Sequence, residues 1–378
     1  MKIVIAPDSF KESMSALAAA NAIEKGFRGI FPDANYVKVP MADGGEGTVQ
    51  SLVDATDGKV INETVTGPIG DPVEAFYGIT GDEKTAIIEM ASASGLHHVP
   101  LDKRNPLITT TKGTGQLILA ALNHGVENII IGIGGSATND GGVGMAQALG
   151  ASLVDKLGND VGFGGGELSK IQSINLENLD SRLQNITIDV ACDVDNPLTG
   201  ERGASAVFGP QKGATSEMVS ILDQNLTRFA HLLKRDLGIE VGNIPGSGAA
   251  GGLGAGLLAF FGATLKSGID IIIEATKLEK QMNGASMIIT GEGKIDIQTI
   301  YGKTPIGVAK TAKKLGIPVI AIAGSLGDGY HAVYEHGIDA LFSVVPGTIS
   351  LETALANGKI YTEQLAENIA RTWKISSL

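Results

Sequence analysis

Short apolar runs and helix-type periodicity alternate at the start of the chain. Lys2–Ala6 and Tyr36–Val39 are predicted as buried strands, and a helix opened by Ser13 or Ser15 is predicted between them. A second helix is predicted over Thr48–Ala55. This order predicts a parallel βαβα unit whose loops lie at the same edge of a sheet.

The end of the chain repeats that pattern. Met287–Thr290, Val319–Ala323 and Ala340–Val344 are predicted strands. Between the first two, Gly302-Lys303-Thr304-Pro305 opens a helix, with Thr304 as N-cap and the proline in the first turn. We therefore predict one open, parallel α/β domain of the flavodoxin-like kind, formed by residues 1–60 and 281–378.

The middle of the chain has a different pattern. Lys59–Thr66, Val73–Thr80 and Thr85–Met90 are short alternating runs separated by glycine turns, as in antiparallel strands. Later runs, such as Ile186–Ala191 and the amphipathic Glu217–Leu237, predict further strands and helices. Residues 61–280 are therefore predicted to form a large inserted domain of mixed α/β structure.

Composition narrows the function classes. The 378 residues carry 43% apolar residues, 52 glycines and a formal charge of −12, which disfavours nucleic acid and anionic membranes as partners. The single cysteine, Cys192, excludes an intramolecular disulfide and suggests a reducing compartment. The apolar runs at the N-terminus and over Leu253–Phe261 are too short for a signal peptide or a membrane span. We expect a cytoplasmic protein that acts on a small molecule, and assembly into a homo-oligomer stays open.

The stretch Ile129–Gly144 changes from an apolar strand to a polar, glycine-rich loop, and Val143–Leu149 then looks helical. Glycines let backbone N–H groups approach a ligand, and a following helix N-terminus favours an anion. The alternative is a solvated turn, although ordinary turns need fewer such residues. The predicted ligand contacts in this loop are Gly134, Gly135, Ser136, Asn139 and Asp140.

Four other loops combine small residues with carboxylates, and two of them also carry a lysine. Each follows a predicted strand, so all of them can line one cleft at the carboxyl ends of the strands. Carboxylates that hold Mg²⁺, lysines that neutralise phosphate oxygens and a carboxylate base are the requirements of phosphoryl transfer. Any single aspartate can instead serve its own turn. The loops are Asp8-Ser9-Phe10-Lys11, Asp43-Gly44-Gly45-Glu46, Asp193-Val194-Asp195-Asn196 and Gly291-Glu292-Gly293-Lys294-Ile295-Asp296.

Other functions stay open at this point. Gly132–Ala137, with Asp155 further on, fits a dinucleotide fingerprint formally, which favours an NAD(P)-dependent dehydrogenase of a small hydroxy acid. Gly302-Lys303-Thr304 matches the end of a P-loop, but Ile297 stands where the first glycine belongs, so Lys303 either contacts phosphate or is solvated. A sensor of sugar acids without catalysis is the third alternative.

Several long segments resemble the bacterial type I glycerate kinases, in order, from Met1 to about Val345. The resemblance implies an ATP- and Mg²⁺-dependent kinase that phosphorylates D-glycerate, usually to 2-phosphoglycerate. It also implies a flavodoxin-like domain with a large inserted α/β domain and an active site in the cleft between them. The segments are 6–11, 41–47, 133–142, 192–198, 245–254 and 290–296.

We assign roles on this basis as hypotheses. Asp193 is the base that takes the substrate hydroxyl proton, and Lys11 and Lys294 steady the transferring phosphate. The metal ligands are Asp195, Glu292 and Asp296, of which Glu292 and Asp296 are also the second choice for the base, and Arg202 is the candidate clamp for a carboxylate. The glycine stretch around Gly134 or the one around Gly248 holds the nucleotide. The other binding residues are Asp8, Ser9, Asp43, Gly44, Gly45, Glu46, Asn196, Gly291 and Lys303.

Overall fold

The computed structural model describes residues 1–376. Within that range there are thirteen strands: β1 (Lys2–Pro7), β2 (Asn35–Lys38), β3 (Lys59–Thr66), β4 (Pro72–Ile79), β5 (Thr85–Glu89), β6 (Asn128–Gly132), β7 (Ser152–Val154), β8 (Ser173–Asn175), β9 (Thr187–Ala191), β10 (Thr264–Lys266), β11 (Met287–Ile295), β12 (Val319–Leu326) and β13 (Ala340–Ser343). The same range has twelve α-helices: α1 (Ala16–Arg28), α2 (Thr48–Thr56), α3 (Ala91–Ser94), α4 (Lys112–His124), α5 (Val143–Ala148), α6 (Ala204–Phe208), α7 (Ser216–Leu237), α8 (Ala249–Phe261), α9 (Gly268–Ala275), α10 (Leu278–Met282), α11 (Thr304–Lys314) and α12 (Leu351–Ser376).

The chain forms two compact units, each discontinuous in sequence. The terminal unit comprises Met1–Asp43, Gln50–Asp57 and the chain from Ile269 onward. The inner unit comprises Gly44–Val49 and Gly58–Gly268. The division into domains at residues 60 and 280 stays a prediction.

The terminal unit is built on a parallel sheet of five strands in the order β2-β1-β11-β12-β13. Counted within the unit, this order is 2-1-3-4-5, which is that of flavodoxin-like folds. The predicted fold class is therefore confirmed. The strand order reverses between β1 and β11, where Pro7 pairs with Gly291. In open parallel sheets, ligands bind beyond the carboxyl ends of the strands at such a switch point.

Strand β11 is longer than predicted. Its register with β12 continues through Lys294 and Ile295, so the prediction of a loop over Gly291–Asp296 was wrong. Gly291 is explained by close backbone contact, since a Cβ there would lie 2.1 Å from the carbonyl oxygen of Ile322. The register with β1 ends at Gly291 while that with β12 continues to Ile295, so Glu292 lies just beyond the end of β1.

Helices cover the sheet of the terminal unit. Helix α1 begins after Ser15, whose hydroxyl accepts a hydrogen bond from Ala18 N, so one of the two predicted openings is confirmed. It packs on α12, which the sequence pattern did not predict. Gly26 allows this contact, because a Cβ there would lie 2.3 Å from the carbonyl oxygen of Glu363. The core joins the helices to the strands through side chains such as Phe27, Ile289 and Ile369.

The inner unit contains a six-stranded mixed sheet in the order β10-β9-β6-β5-β4-β3. Strands β10, β9, β6 and β5 are parallel, and the hairpin β3–β4 adds two antiparallel strands at one edge. Helix α8 bends at its start, where Ala250, Gly251 and Gly252 have left-handed φ values. A Cβ on Gly251 would lie 2.0 Å from the carbonyl oxygen of Thr138, so glycine at the bend allows the start of α8 to touch the loop that follows β6. Across residues 1–376, no helix combines the length and apolar character needed to cross a bilayer.

Candidate functional site

Three carboxylates lie at strand ends around the switch point of the terminal unit. Asp8 follows β1, Asp43 follows β2, and Glu292 lies on β11 just beyond its pairing with β1. Burial is the main cause that raises the pKa values of Asp8 and Glu292, and neighbouring charge adds to it: Asp43 raises the pKa of Asp8, and both aspartates raise the pKa of Glu292. We call Asp8, Asp43 and Glu292 the acidic cluster. Repulsion of this kind favours the binding of a cation.

Asp8 is partly buried and hydrogen-bonded at both oxygens. Its Oδ2 accepts from the hydroxyl of Thr304 at 2.6 Å, and its Oδ1 accepts from Ser9 N at 2.6 Å. Burial raises the pKa of Asp8 to about 6, while the hydrogen bond from Thr304 opposes the shift. Ser9, a predicted binding residue, thus orients Asp8 through its backbone.

Glu292 is 9% exposed and lies between a threonine and a lysine. Its Oε1 accepts from the Thr299 hydroxyl at 2.8 Å, and its Oε2 lies 3.8 Å from Lys303 Nζ. Burial raises the pKa of Glu292 to about 7, and the charge of Lys303 opposes that rise. The carboxyl group is therefore poised to change its charge near neutral pH.

The N-terminus of α11 adjoins the acidic cluster. Lys303 is the N-cap residue and Thr304 is the first helical residue, so the predicted N-cap was wrong by one position. The physical reason is that the Thr304 hydroxyl donates to Asp8 instead of capping its own helix. The proline lies in the first turn, as predicted. A helix N-terminus next to a lysine is a suitable place for a phosphate group.

The other two predicted lysines lie at the surface of the terminal unit. Lys11 is exposed in a turn, and its backbone nitrogen would be 3.5 Å from a Cβ on Gly293. Lys294 is 61% exposed and forms an ion pair with Asp296 at 3.0 Å. Asp296 also caps the 3₁₀ turn Ile297–Ile300 by accepting from Gln298 N. Among the three, only Lys303 is held against a carboxylate of the acidic cluster.

The glycine-rich loop of the inner unit has an exposed tip and a buried base. Gly134 and Gly135 are exposed, whereas residues 136–142 are buried. Lys212, only 1% exposed, donates to the Ser136 hydroxyl at 2.7 Å and to the carbonyl oxygen of Thr138 at 2.6 Å. Burial lowers the pKa of Lys212 to about 7, and the charge of Asp140 opposes this shift. Sequence reasoning missed Lys212, because a lysine in a Pro-Gln-Lys-Gly turn resembles an ordinary solvated residue.

Asp140 holds the loop together from inside. Its carboxylate accepts from Thr111 N at 2.8 Å, from the Thr111 hydroxyl at 2.9 Å, from Gly142 N at 3.2 Å and from Gly144 N at 3.3 Å. Burial raises the pKa of Asp140, and these hydrogen bonds oppose the rise. The structure therefore gives Asp140 a scaffold role beneath the predicted anion site.

Asp140→Asn is expected to lower the free energy of unfolding by about 2 kcal/mol, because an amide nitrogen would replace one acceptor among buried donors. Urea unfolding measures the loss. Asp155→Asn is the matched control, since Asp155 accepts from Leu157 N and Asn159 N in an exposed turn. Equal losses in the two variants would contradict the scaffold role.

Asn139 lies deeper in the same loop. Its Nδ2 donates to the Ser205 hydroxyl at 3.1 Å. Within the described part of the chain, its Oδ1 and the hydroxyls of Thr138 and Ser247 are buried without a hydrogen-bond partner. Buried acceptors are usually satisfied in folded proteins, so this group marks a polar interior that stability alone does not explain.

The loop after β9 carries the predicted base. Asp193 is exposed at the end of the strand, and its Oδ1 accepts from Gly268 N at 3.0 Å. Asp195 is bound by Arg202 at 2.9 and 3.0 Å, and Asn196 donates to the carbonyl oxygen of Arg202. The predicted metal ligand and the predicted clamp of this loop are therefore paired with each other.

The predicted loop Gly44–Glu46 lies on the ends of β6 and β9 within the inner unit. Gly44 has a φ of +88°, and a Cβ there would lie 2.5 Å from Ala191 Cβ. Glu89, which the sequence analysis did not select, accepts from Val49 N at 2.9 Å. Burial raises the pKa of Glu89 and nearby Glu46 adds to that rise, while the backbone hydrogen bonds oppose it. Glu89 thus fixes the far side of this loop.

Other sequence signals are explained by local structure. Asp155, the acidic residue of the formal dinucleotide fingerprint, accepts hydrogen bonds from its own turn.

A surface depression of about 600 Å³ on α7, lined by residues such as Arg228, His231 and Arg235, includes none of the predicted site residues. Among residues 1–376, no group of three or more His, Cys, Asp or Glu side chains is arranged to hold a metal ion.

Comparisons with known proteins agree across the whole chain. The model of the glycerate kinase family matches residues 3–374. The glycerate kinase of Bacillus subtilis (strain 168) is 61% identical over 376 residues, covering 100% of this chain and 98% of that protein. The glycerate 2-kinase of Escherichia coli (strain K12) is 57% identical over 375 residues, covering 99% and 98%. A crystal structure assigned as glycerate kinase 2 from Salmonella typhimurium LT2 superposes with a TM-score of 0.93 at 57% identity, covering 100% and 99%.

Proposed function

The chain belongs to the glycerate kinase family, and we propose that it transfers the γ-phosphoryl group of ATP to D-glycerate, giving 2-phosphoglycerate and ADP. The observation that carries this proposal is the acidic cluster at the switch point between β1 and β11, beside Lys303 and the start of α11. Carboxylates, a lysine and a helix N-terminus at one sheet edge suit a metal-bound triphosphate. Under this proposal the enzyme acts on small molecules in the cytoplasm.

The terminal unit is proposed to bind the nucleotide. The backbone N–H groups at the start of α11 and the ammonium of Lys303 attract phosphate oxygens. Lys11 and Lys294 lie at the surface of the same unit and add positive charge when the triphosphate is bound. Gly291, at the end of the β1 pairing, keeps the strands close there.

The acidic cluster fits Mg²⁺ in the way that kinases usually hold it. Mg²⁺ takes one or two protein carboxylates and completes its shell with phosphate oxygens and water, so a preformed set of three ligands is not required. Mutual repulsion and burial disfavour the charged forms of Asp8 and Glu292, and a cation would relieve both effects. When bound, Mg²⁺ would neutralise charge on the phosphates. Asp195 and Asp296 are left out of the proposed ligand set, because neither belongs to the acidic cluster and each forms an ion pair with a neighbouring cation, at 2.9 and 3.0 Å.

The inner unit is proposed to bind glycerate. The exposed glycines 134 and 135 offer backbone N–H groups to its carboxylate, with Ser136, Asn139 and Asn196 as further contacts. Asp193 accepts the proton of the C2 hydroxyl as that oxygen attacks the γ-phosphorus. The bond between the γ-phosphorus and the bridging oxygen then breaks, and ADP leaves with the electron pair. The hydrogen bond from Gly268 N orients Asp193 for this step.

Phosphorus NMR of a mixture of the protein, D-glycerate, ATP and Mg²⁺ tests the reaction and its position together. The expected product signal is a doublet, because the phosphorus of 2-phosphoglycerate neighbours a single C–H. A triplet would indicate phosphorylation of the CH₂OH group, and no new phosphomonoester would overturn the kinase proposal. The control is the same mixture without glycerate. A change of NADH absorbance with tartronate semialdehyde would favour the dehydrogenase instead.

A further inference from the structure

Lys212 has an unusual environment for a lysine in a loop. Its side chain is fully buried, and in the described part of the chain its hydrogen bonds go to neutral oxygens on Ser136 and Thr138. Asp140 is the charged group that faces it, and acts on it through the electrostatic field. A buried charge without a bonded counter-ion is costly, and an apolar side chain would fill the same space at less cost. Packing alone therefore does not account for Lys212.

The approach of Lys212 to the loop is fixed by its own turn. It ends the 3₁₀ turn Pro210–Lys212, and Gly213 follows with a φ of +90°. A Cβ on Gly213 would lie 2.4 Å from the carbonyl oxygen of Arg104, so glycine is required for the chain to close here. The ammonium group of Lys212 thereby binds Ser136 and Thr138, which lie 76 and 74 positions earlier in the sequence.

The two oxygens that bind Lys212, on Ser136 and Thr138, lie within three residues of the exposed Gly135. Ser136 follows Gly135, and its hydroxyl and the carbonyl oxygen of Thr138 fix the loop on both sides of Ala137. The loop is held on its other flank by the carbonyl oxygen of Gly135, which accepts from Leu96 N at 2.9 Å. Lys212 thus supplies both the anchor and a positive charge behind a turn whose outer face is open backbone.

We propose that Lys212 is a positioning residue for glycerate, which holds the Gly134–Gly135 turn in shape and gives it the positive potential that a carboxylate requires. This inference rests on the kinase function proposed above and names the anionic end of the substrate as the group that the turn recognises. The buried oxygens without partners on Thr138 and Asn139 agree with it, because a loop built only for stability would satisfy them.

The charge of Lys212 makes the inference measurable. Its pKa of about 7 places the loss of the proton in the range of ordinary assays, and Asp140 is the group whose charge counteracts that loss. Above neutral pH the amine still donates hydrogen bonds but no longer carries charge. The value of kcat/KM for glycerate should therefore have a falling limb above pH 7 that depends on Lys212, since this parameter reports groups of the free enzyme.

The test compares wild type, Lys212→Met and the control Lys103→Met, whose lysine is exposed in the 3₁₀ turn Leu101–Lys103. Lys212→Met is expected to raise KM for glycerate at least tenfold, to leave KM for ATP within about twofold and to remove the falling limb of the pH profile. Circular dichroism and thermal unfolding check that the variant is folded. If it is not, Ser136→Ala tests the same contact: a shift of the falling limb together with a smaller rise in KM for glycerate supports the role of Lys212, whereas an unmoved falling limb would overturn it.

The outcomes separate this inference from the proposed function. A folded Lys212→Met enzyme with wild-type KM for glycerate and an unchanged pH profile would overturn the role of Lys212 while the kinase function stands. Equal rises in KM for both substrates would also overturn it, because they would indicate a general loss of structure. A wild-type protein that does not turn over would refute the proposed function itself.

Discussion

Replacing Glu292 with glutamine is expected to lower kcat/KM for Mg·ATP by about a hundredfold and, at pH 8, to raise the stability of the protein. Glutamine keeps the size of the side chain and can still accept from the Thr299 hydroxyl, so the local structure should persist. It loses the charge that the proposed metal site requires. Steady-state kinetics at several Mg²⁺ concentrations measure the loss.

The gain in stability follows from the sign of the pKa shift. Burial raises the pKa of Glu292 from 4.5 to about 7, so the native state binds the proton more tightly than the unfolded state. The carboxyl group destabilises the fold least when the pH is below its pKa in the unfolded state. The free-energy cost of burying the ionised carboxylate grows as the pH rises towards 7. At pH 8 it amounts to about 3 kcal/mol, and near pH 5 to about 1 kcal/mol. Glutamine removes this pH-dependent penalty.

Urea unfolding in metal-free buffer at pH 5 and pH 8 measures that difference. Glu335→Gln is the control, because Glu335 is exposed in the same unit. The control should change neither kinetics nor stability by more than a few tenths of a kcal/mol. Wild-type kinetics in Glu292→Gln would remove Glu292 from the site. An equal stability change at both pH values would mean that burial does not penalise its charge.

The sequence predicted the part of the site that depends on strand order. Asp8 and Asp43 follow apolar runs at the start of the chain, and Glu292 follows one near its end. A parallel sheet in the flavodoxin order places such strand ends at one edge. The pairing of Pro7 with Gly291 shows this for Asp8 and Glu292, the residues that follow them. Long-range contact could thus be inferred from local pattern and topology.

Other features could not be predicted because they depend on tertiary contacts. Gly291 and Gly293 indicate a turn by local preference, but in the fold Gly291 permits β11 and β12 to approach closely. Lys212 and Glu89 have the local sequence of solvated residues, and only packing of distant segments buries them. Thr304 has the sequence of an N-cap, yet its hydroxyl donates to the carboxylate of Asp8, in the loop after β1. In each case a distant partner overrides the local preference.

Asp193→Asn is expected to lower kcat by about two to four orders of magnitude, because an amide cannot accept the hydroxyl proton of glycerate. The amide oxygen can still accept from Gly268 N, so fold and KM should change little. Glu201→Gln is the matched control, since Glu201 is an exposed acid in the same connection between β9 and α6. Single-turnover kinetics separate the chemical step from product release. A normal kcat in Asp193→Asn would exclude Asp193 as the base. The role of base would then pass to Glu292, whose pKa of about 7 suits proton transfer at neutral pH. In that case kcat of Asp193→Asn should fall as the pH drops below about 7.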